Sequence, residues 1–477
     1  MSQSLRSELL AGETILWPST HLNFFRTESS TPLAYHSMFG NLSALDGEMY
    51  QLLGASDKIT FRELAARAGA DAAFDLWNNY FFLERQDEER KIVEGMLEER
   101  RSAIHTGRYL GALQITSSNN CNYACSYCFA DASDKRSPVR KSIAEQAPNI
   151  SYEMAEAAIR QVLDVATRNG REQIAVKFLG REPLINWNVI DRLMQTFGCE
   201  RVVWAITTNG SLLSEEIARK LSSYKVLTIV SLDGPPETND SLRVLKSGKG
   251  TYDITERGLE ILSRQGVPFG VSSVISRQTR LEQMMSFIDR LVQLNASELE
   301  LTLVMQTSLY QIQSRIMETA TISDKLCQLY EYAGGRLLVH GDWVDPYHRI
   351  LTTHKFRTNP EVIRPAGASC TATSHQISLE PTGDVFPCRA MSTHYGHISD
   401  LDAVLKSRNY HDVVMRTFYN VPACRNCQLE GFCQGTCLGS SEEQSGDIYQ
   451  PPSEYCDIYR ATTRQLLESS RIGLAEN

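Results

Sequence analysis

The stretch ALQITSSNNCNYACSYC, residues 112–128, contains the pattern that decides the fold. It begins with an apolar run at residues 112–116, which is typical of a buried strand. Three cysteines follow, at positions Cys121, Cys125 and Cys128. Because one loop can turn three thiolates inward, we expect this strand to lead directly into a loop that holds a metal cluster.

A strand followed by a helix recurs along the chain after this loop. The further strand-like runs are residues 174–179, 202–207, 226–231, 269–275 and 298–304, and the helical patterns are residues 152–167, 189–197 and 281–294. Repeated strand–helix units imply a parallel sheet with right-handed crossovers. We therefore predict an α/β fold in which residues 106–305 form a partial (βα)6 TIM-like barrel. In such barrels the chemistry lies on loops after the C-terminal ends of the strands.

Residues 1–105 are predicted to form a small α/β domain in front of the barrel. Its predicted elements are strands at residues 21–26 and 33–39 and helices at residues 41–53, 60–69 and about 83–103. Ser43 and Thr60 are the expected N-caps of the first two helices, and Gly107 is expected to end the third.

The C-terminal part is predicted to contain a mixed connector at residues 306–364, a Cys-rich domain at residues 365–460 and a helix or tail at residues 461–477. The Cys-rich domain has many turns and little periodicity, so we expect metal rather than an apolar core to hold it together. Of the 12 cysteines, only Cys199 and Cys327 lie outside this domain and the first cysteine loop. In a reducing cytoplasm, such clusters indicate metal or redox sites rather than disulfides.

The composition argues against several classes of function. A net charge of -9 without a Lys/Arg block disfavours binding to nucleic acid, which needs clustered positive charge. No apolar run approaches the roughly 20 residues that span a bilayer. The first residues, MSQSLRSE, are not followed by an apolar signal core. We therefore expect a cytoplasmic protein with no nucleic-acid or membrane partner.

Polar loops after the next three strands extend the pattern of the first cysteine loop. They contain Gly180, Arg181, Glu182 and Pro183 after the second strand, Thr208 and Asn209 after the third, and Ser231, Asp233 and, downstream, Arg243 after the fourth. Together with the Cys-x3-Cys-x2-Cys spacing and Tyr127 before its last cysteine, these loops resemble the radical S-adenosylmethionine (SAM) superfamily. The resemblance implies a 4Fe–4S cluster on three cysteines, with its fourth iron and these loops binding SAM. Arg181 replaces a usual glycine, so its contact depends on the backbone that it adopts.

A zinc loop is the alternative interpretation of the first three cysteines. Zinc sites usually take four protein ligands, often as paired Cys-x2-Cys. The position of the three cysteines after the first barrel strand favours the iron–sulfur cluster.

Seven further cysteines form a second pattern: Cys370, Cys388, Cys424, Cys427, Cys433, Cys437 and Cys456. Their spacing resembles the SPASM domain of peptide-modifying radical SAM enzymes. The resemblance implies two auxiliary iron–sulfur clusters of the 4Fe–4S type, an outer one on Cys424, Cys427, Cys433 and Cys456 and an inner one on Cys370, Cys388 and Cys437. The inner set lacks one thiolate, so one iron is open or is bound by Asp384, His375 or a substrate group. Structural zinc sites remain the alternative.

The resemblance implies an enzyme that uses a 5′-deoxyadenosyl radical to oxidise a peptide or small protein. A one-electron donor such as flavodoxin or ferredoxin would reduce the first cluster, and the auxiliary clusters would take up a second electron. A thioether or carbon–carbon cross-link is the expected product, and the small subunit of quinohaemoprotein amine dehydrogenase is one candidate substrate. A ferredoxin-like electron carrier and a zinc-binding scaffold are the non-enzymatic alternatives.

Two further expectations concern the catalytic base and the N-terminal domain. Sulfatase maturases have an Asp base directly after the second cysteine of the C-terminal domain, where this chain has Arg389. This argues against sulfatase maturation, and Asp233 is our candidate for proton transfer. The N-terminal domain resembles winged-helix domains that bind leader peptides at a strand edge, and a packing cap for the barrel is the alternative.

Overall fold

The computed structural model describes residues 6, 9–55, 57–276, 279–304, 319–352, 370–373, 375–433 and 435–469. Within these residues, the strands form one ten-stranded sheet and two three-stranded sheets. The large sheet runs through the barrel into the Cys-rich domain, and the two small sheets belong to the N-terminal domain.

The N-terminal domain combines its two small antiparallel sheets with several helices. Its elements are β1 (Ile15–Pro18), β2 (Leu22–Arg26), β3 (Pro32–His36), β4 (Gly40–Ala44), α1 (Gly47–Ala55), β5 (Ile59–Thr60), α2 (Phe61–Ala68), α3 (Ala70–Asn78), β6 (Phe82–Leu83) and α4 (Glu88–Ala103). The strand orders are β5-β1-β6 and β2-β3-β4. Leu16, Phe61 and Phe81 are fully buried and belong to an apolar core separate from that of the barrel.

Two predictions for the first helix of this domain are wrong. We expected a helix over residues 41–53, but residues 40–44 form β4 because they pair with β3. Ser43 therefore lies in a strand and is not an N-cap. The turn before α1 is instead held by Asp46, whose carboxylate accepts the Met49 N–H at 2.7 Å. Strand pairing here outweighs the local capping signal.

The other helices of this domain follow their local signals more closely. Thr60 caps α2 as predicted: its hydroxyl accepts the Glu63 N–H, and the Glu63 carboxylate accepts the Thr60 N–H. The charged helix α4 begins at Glu88 and gives way to a short 3-10 turn, which ends at Gly107 with a φ of +70°. Glycine adopts this left-handed conformation without strain, and it therefore ends the helical segment.

The barrel contains all the strands predicted for it, each within two residues of the predicted bounds. Its elements are β7 (Ala112–Ser118), α5 (Phe129–Arg136), α6 (Pro138–Gln146), α7 (Tyr152–Arg168), β8 (Ile174–Gly180), α8 (Trp187–Phe197), β9 (Val202–Thr208), α9 (Glu215–Ser223), β10 (Leu227–Ser231), α10 (Pro236–Asn239), α11 (Tyr252–Arg264), β11 (Phe269–Ile275), α12 (Leu281–Gln293) and β12 (Glu298–Leu303). Neighbouring strands pair in chain order and in parallel. The prediction of an α/β fold with a partial barrel is confirmed.

The sheet extends further than predicted at both edges. The additional strands are β13 (Leu338–His340), β14 (Gln376–Leu379), β15 (Asp384–Phe386) and β16 (Gly396–His397). β13 pairs in parallel with β12, so part of the predicted connector belongs to the sheet. β14 pairs in parallel with β7, and β15 and β16 continue antiparallel beyond it. Strands this short contain too few residues to show a periodic pattern.

The Cys-rich domain also shares the apolar core of the barrel, although we expected metal to replace a core there. Val385, Val413 and Leu438 are at most 1% exposed and belong to the main core cluster. The remaining helices are α13 (Thr319–Ala333), α14 (Asp345–Thr352), α15 (Leu401–Lys406), α16 (Arg408–Val414), α17 (Glu430–Cys433), α18 (Leu438–Ser445) and α19 (Ser453–Ser469). α19 packs against α13 and crosses the predicted boundary at residue 460. The tail at residues 470–477 lies outside the described residues.

In the part of the chain that the structure describes, no helix has both the length and the apolarity needed to cross a bilayer.

Candidate active site

The three cysteines of the first loop lie between β7 and α5, at the C-terminal end of the strand: Cys121, Cys125 and Cys128. Two backbone hydrogen bonds hold this loop to the segment after β10. Ala124 donates its N–H to the Val244 carbonyl at 2.7 Å, and Ser126 donates to the Leu242 carbonyl at 3.0 Å. The thiols are thereby placed at the strand ends, where barrels of this type carry their chemistry.

The loop after β8 approaches the end of β7 closely. β8 ends on Gly180 with a φ of +145°, and a Cβ there would lie 2.7 Å from the Ser118 carbonyl oxygen. Arg181 next to it does not have a positive φ and donates its N–H to the same oxygen at 3.2 Å. Its guanidinium turns to Asp131, at 3.2 Å, and Asp134, at 2.8 Å. The replacement of the usual glycine by Arg181 therefore puts no strain on the backbone.

Glu182 is fully buried and holds the loop after β9 in place. Its carboxylate accepts hydrogen bonds from the Thr208 hydroxyl and the Asn209 N–H, both at 2.7 Å, and from the Leu184 N–H at 3.0 Å. Burial raises the pKa of Glu182 to about 6, although these hydrogen bonds act to lower it. Pro183 begins a short 3-10 turn behind it. Glu182 thus positions Thr208 and Asn209, which line the cavity described below.

Asn209 connects the loop after β9 to the first cysteine loop. Its side-chain amide donates to Asn122 Oδ1 at 2.9 Å and lies 3.8 Å from Cys121 Sγ. Asn209 was a predicted site residue, whereas Asn122 was not, because an asparagine between two cysteines gives no signal of its own.

Asp233 lies behind the first cysteine loop and is 0% exposed. Its carboxylate pairs with Arg243 Nε at 3.0 Å and accepts the Tyr127 hydroxyl and the Val274 N–H, the latter at 3.0 Å. Arg243, Tyr127 and Ser231 line the cavity, whereas Asp233 itself does not. Asp233 therefore holds Arg243 and Tyr127 in place, and its part in proton transfer stays a prediction.

A cavity of about 710 Å³ connects the first cysteine loop with the Cys-rich domain. It is lined by the cysteines of the first loop and by Cys437, and also by Tyr123, Phe129, Leu301, Trp343, Tyr455 and Tyr459. Its volume is in the range of sites for small molecules and cofactors. A molecule in this cavity would contact both cysteine-bearing regions.

The raised pKa values of the C-terminal cysteines show which of these thiolates act on one another. Burial and the nearby thiolates of Cys370 and Cys437 raise the pKa of Cys388, which defines the inner group. Burial and the thiolates of Cys456 and Cys427 raise the pKa of Cys433 to about 12. Cys433, Cys427 and Cys456 also raise the pKa of Cys424, which completes the outer group. These charge contributions are compatible with the two sets that the resemblance implies, and the assignment of two clusters stays a prediction.

Arg416 lies near both groups and was missed by sequence analysis. It is 1% exposed and donates to the Ile448 carbonyl and, at 2.8 Å, to the Gly435 carbonyl. Burial lowers its pKa, and four nearby cysteines oppose that change: Cys370, Cys424, Cys433 and Cys437. A single arginine between two cysteines of the Cys-rich domain gives no warning of such a position in the sequence.

The two isolated cysteines lie away from these sites. Cys199 is exposed in the turn after α8. Cys327 is 1% exposed on α13, and its thiol lies 3.8 Å from the Thr462 carbonyl oxygen on α19. Cys327 therefore packs between two helices.

Sequence comparison identifies the two regions that carry these cysteines. The profile of the Radical SAM superfamily matches residues 115–291, and that of the SPASM iron–sulfur cluster-binding domain matches residues 370–428. The chain therefore contains a radical SAM domain followed by a SPASM domain. It is 29% identical over 468 residues to the radical SAM cyclopropyl synthase TigE of Paramaledivibacter caminithermalis, which covers 95% of this chain and 96% of TigE.

Two solved structures resemble the fold of this radical SAM protein. One is native anSMEcpe with bound AdoMet, with a TM-score of 0.59, 19% identity and coverage of 75% of this chain and 96% of that one. The other is SuiB of Streptococcus suis bound to the precursor peptide SuiA, with a TM-score of 0.54, 18% identity and coverage of 93% and 99%.

The thiols of the radical SAM loop fit a site for a cationic cluster. Burial raises the pKa of Cys125 to about 12 and also raises the pKa of Cys121. Thiolates form in such surroundings when metal ions compensate their charge. Cys121, Cys125 and Cys128 would hold the cluster that the superfamily uses. Within the described residues, no three Cys, His, Asp or Glu side chains converge around a point suited to a single metal ion.

A buried chain of ion pairs joins the radical SAM barrel to the SPASM region. Asp134 on α5 binds Arg181, at 2.8 Å, and Arg389, at 2.8 and 2.9 Å. Arg389 also lies 3.8 Å from Glu380, which pairs with Arg140 at 2.6 Å. Arg181 replaces the usual glycine after β8, Arg389 stands where sulfatase maturases have an Asp, and both contact the same carboxylate.

Proposed function

We propose that this chain is a peptide-modifying radical SAM enzyme that forms a carbon–carbon bond in a peptide or small protein. The observation that carries the proposal is the cavity shared by the first cysteine loop and Cys437. The similarity to TigE over nearly the whole of both chains favours carbon–carbon bond formation over a thioether. That the product is a thioether, and that the substrate is the small subunit of the amine dehydrogenase, remain predictions. The same assay tests both.

The residues around the cavity support this chemistry. When bound, SAM and the clusters supply a 5′-deoxyadenosyl radical and an acceptor for one further electron. The chain would hold these groups with its cysteines and with Thr208, Asn209, Ser231 and Arg243, which line the cavity. Aromatic side chains such as Trp343 and Tyr459 would exclude water from a reactive radical.

The N-terminal domain supports a peptide substrate, and we propose that it binds a leader segment. The domain contacts the segment between Cys427 and Cys433 directly. The Tyr35 hydroxyl donates to the Gln428 carbonyl at 3.1 Å, and Gly431 donates its N–H to the Ser37 carbonyl at 2.9 Å. A leader paired with a strand edge of this domain would therefore be held at a fixed distance from the SPASM region. These contacts also suit the alternative of a packing cap.

Anaerobic co-expression with candidate precursor peptides, followed by mass spectrometry, tests the proposal. We expect a peptide that has lost the mass of two hydrogen atoms and still reacts fully with iodoacetamide, because its thiols are not consumed. Loss of iodoacetamide labelling would indicate a thioether instead. The variant Cys388→Ala should still release 5′-deoxyadenosine but leave the peptide unmodified. Formylglycine in the product would favour the sulfatase-maturase alternative, despite the buried Arg389.

A flavodoxin or ferredoxin is the proposed electron donor. Reduced flavodoxin should support the release of 5′-deoxyadenosine in place of a chemical reductant. No turnover with either protein, alongside normal turnover with dithionite, would contradict this part of the proposal.

A further inference from the structure

The inner cysteine group lacks a fourth ligand, and the two side chains expected to supply it are engaged elsewhere. The His375 ring packs at the start of β7, where a Cβ on Gly111 would lie 2.8 Å from its Cε1 atom. Asp384 Oδ1 lies 2.8 Å from His394 Nε2, and its other oxygen accepts the Thr382 hydroxyl. Neither side chain lines the cavity at Cys437.

A different carboxylate, that of Asp342, stands at this cavity directly after β13. Gly341 before it has a φ of +152°, and a Cβ there would lie 2.3 Å from the Leu301 carbonyl oxygen. Trp343 after it donates its indole N–H to the same oxygen at 2.8 Å. The chain is thus pinned on both sides of Asp342, so the position of its side chain is set by the barrel and not by a loose loop.

Asp342 is the carboxylate of the cavity lining that has no partner. It makes no hydrogen bond or ion pair with any described residue, although it lines the cavity beside Cys437. The other acidic side chain in the lining, Asp131, pairs with Arg181 at 3.2 Å and with Lys135 at 2.7 Å. Asp342 is exposed to the cavity, so a cation held at the cavity wall could reach its oxygens.

The charge of Asp342 acts on the inner thiols, one of which lines the same cavity. After burial, its charge is the largest factor that raises the pKa of Cys437, and it also contributes to the raised pKa of Cys370. Burial and repulsion by Asp345 and Glu300 raise the pKa of Asp342 itself to about 6, against the opposing effect of Arg349 and His340.

We propose that Asp342 supplies the fourth ligand of the inner auxiliary cluster, beside Cys370, Cys388 and Cys437. Carboxylate oxygens are established iron ligands in proteins. One iron of the cluster would then be held by an oxygen at the wall of the cavity. The inference rests on the proposed function, because it requires an iron–sulfur cluster on the inner cysteines.

The experiment uses full-length protein in which Cys121, Cys125 and Cys128 are replaced by alanine, so that only auxiliary clusters contribute to the spectra. In this background we compare Asp342→Ala, Asp342→Asn and Asp342→Cys. The control is Asp345→Ala, at the first residue of α14. Iron content, Mössbauer spectra, EPR spectra and reduction potentials are measured after anaerobic reconstitution.

We expect Asp342→Ala and Asp342→Asn to lose about one iron per chain on mild oxidation and to show a 3Fe–4S EPR signal, because a cubane without its fourth ligand releases that iron. Asp342→Cys should retain the iron and show a lower reduction potential than the parent, since a thiolate donates more charge to the cluster. Asp345→Ala should keep the iron content and the EPR spectrum of the parent, because Asp345 pairs with Arg349 and does not line the cavity. The asparagine and cysteine variants keep the test valid if the alanine variant is insoluble.

Unchanged iron content, spectra and potential in both Asp342→Asn and Asp342→Cys would overturn the assignment of this ligand. The proposed function fails separately if Cys388→Ala in the same background leaves the iron content unchanged. In that case no inner cluster exists, and the ligand assignment falls with it.

Discussion

At the scale of single residues, Cys125 offers the most direct test of the catalytic site. Its thiol is partly buried, and desolvation raises its pKa to about 12, so it gives a thiolate only when a metal compensates the charge. We expect Cys125→Ala to abolish release of 5′-deoxyadenosine from SAM while the C-terminal clusters remain visible by EPR. Cys199→Ala, a change at an exposed thiol, is the matched control and should leave the rate unchanged. Cleavage of SAM at the parent rate by Cys125→Ala would contradict the assignment.

Glu182 tests whether the loop after β9 is positioned by one buried carboxylate. Glu182→Gln keeps the shape of the side chain but replaces one carboxylate oxygen with an NH2 group. That group would face a hydrogen-bond donor, either the Asn209 N–H or the Thr208 hydroxyl. An unpaired buried donor costs about 1–3 kcal/mol, so we expect SAM to bind roughly 5- to 100-fold more weakly. Isothermal titration of SAM measures this change. Unaltered affinity would show that SAM does not depend on the position of this loop.

At the scale of elements, α5 joins the two halves of the molecule through Asp134. Asp134→Asn would remove the charge that pairs with both Arg181 and Arg389. Breaking a buried ion pair costs about 3–5 kcal/mol, so we expect a lower urea midpoint and weaker binding of SAM. Asp131→Asn on the same helix is the control and should have a smaller effect, because Asp131 is partly exposed. Equal effects of the two variants would exclude a special role for Asp134.

At the scale of the whole molecule, the three cysteine groups predict the metal content. Anaerobically purified protein should contain about 10–12 iron atoms per chain if each group holds a 4Fe–4S cluster or nearly so. Elemental analysis and sulfide determination measure this number. Stoichiometric zinc with little iron would support the zinc-scaffold alternative and contradict the radical SAM chemistry proposed for this chain.

The sequence by itself determined the features that depend on near neighbours in the chain. The spacing of Cys121, Cys125 and Cys128 fixes a shared loop, and the period of the strands and helices fixes the barrel, because both are local properties. The capping box of Thr60 and Glu63 was equally predictable. Where pairing with the preceding strand competed with the capping signal, as at Ser43, the prediction failed.

Only the tertiary structure decided which distant groups meet. Asp134 contacts Arg389 across 255 positions of the chain, and Asp342 reaches the cavity of Cys437 from the end of an unpredicted strand. Asp233, which the sequence made a candidate base, became buried against Arg243. Burial and long-range pairing set the charge and the role of such side chains, and neither is encoded in local periodicity.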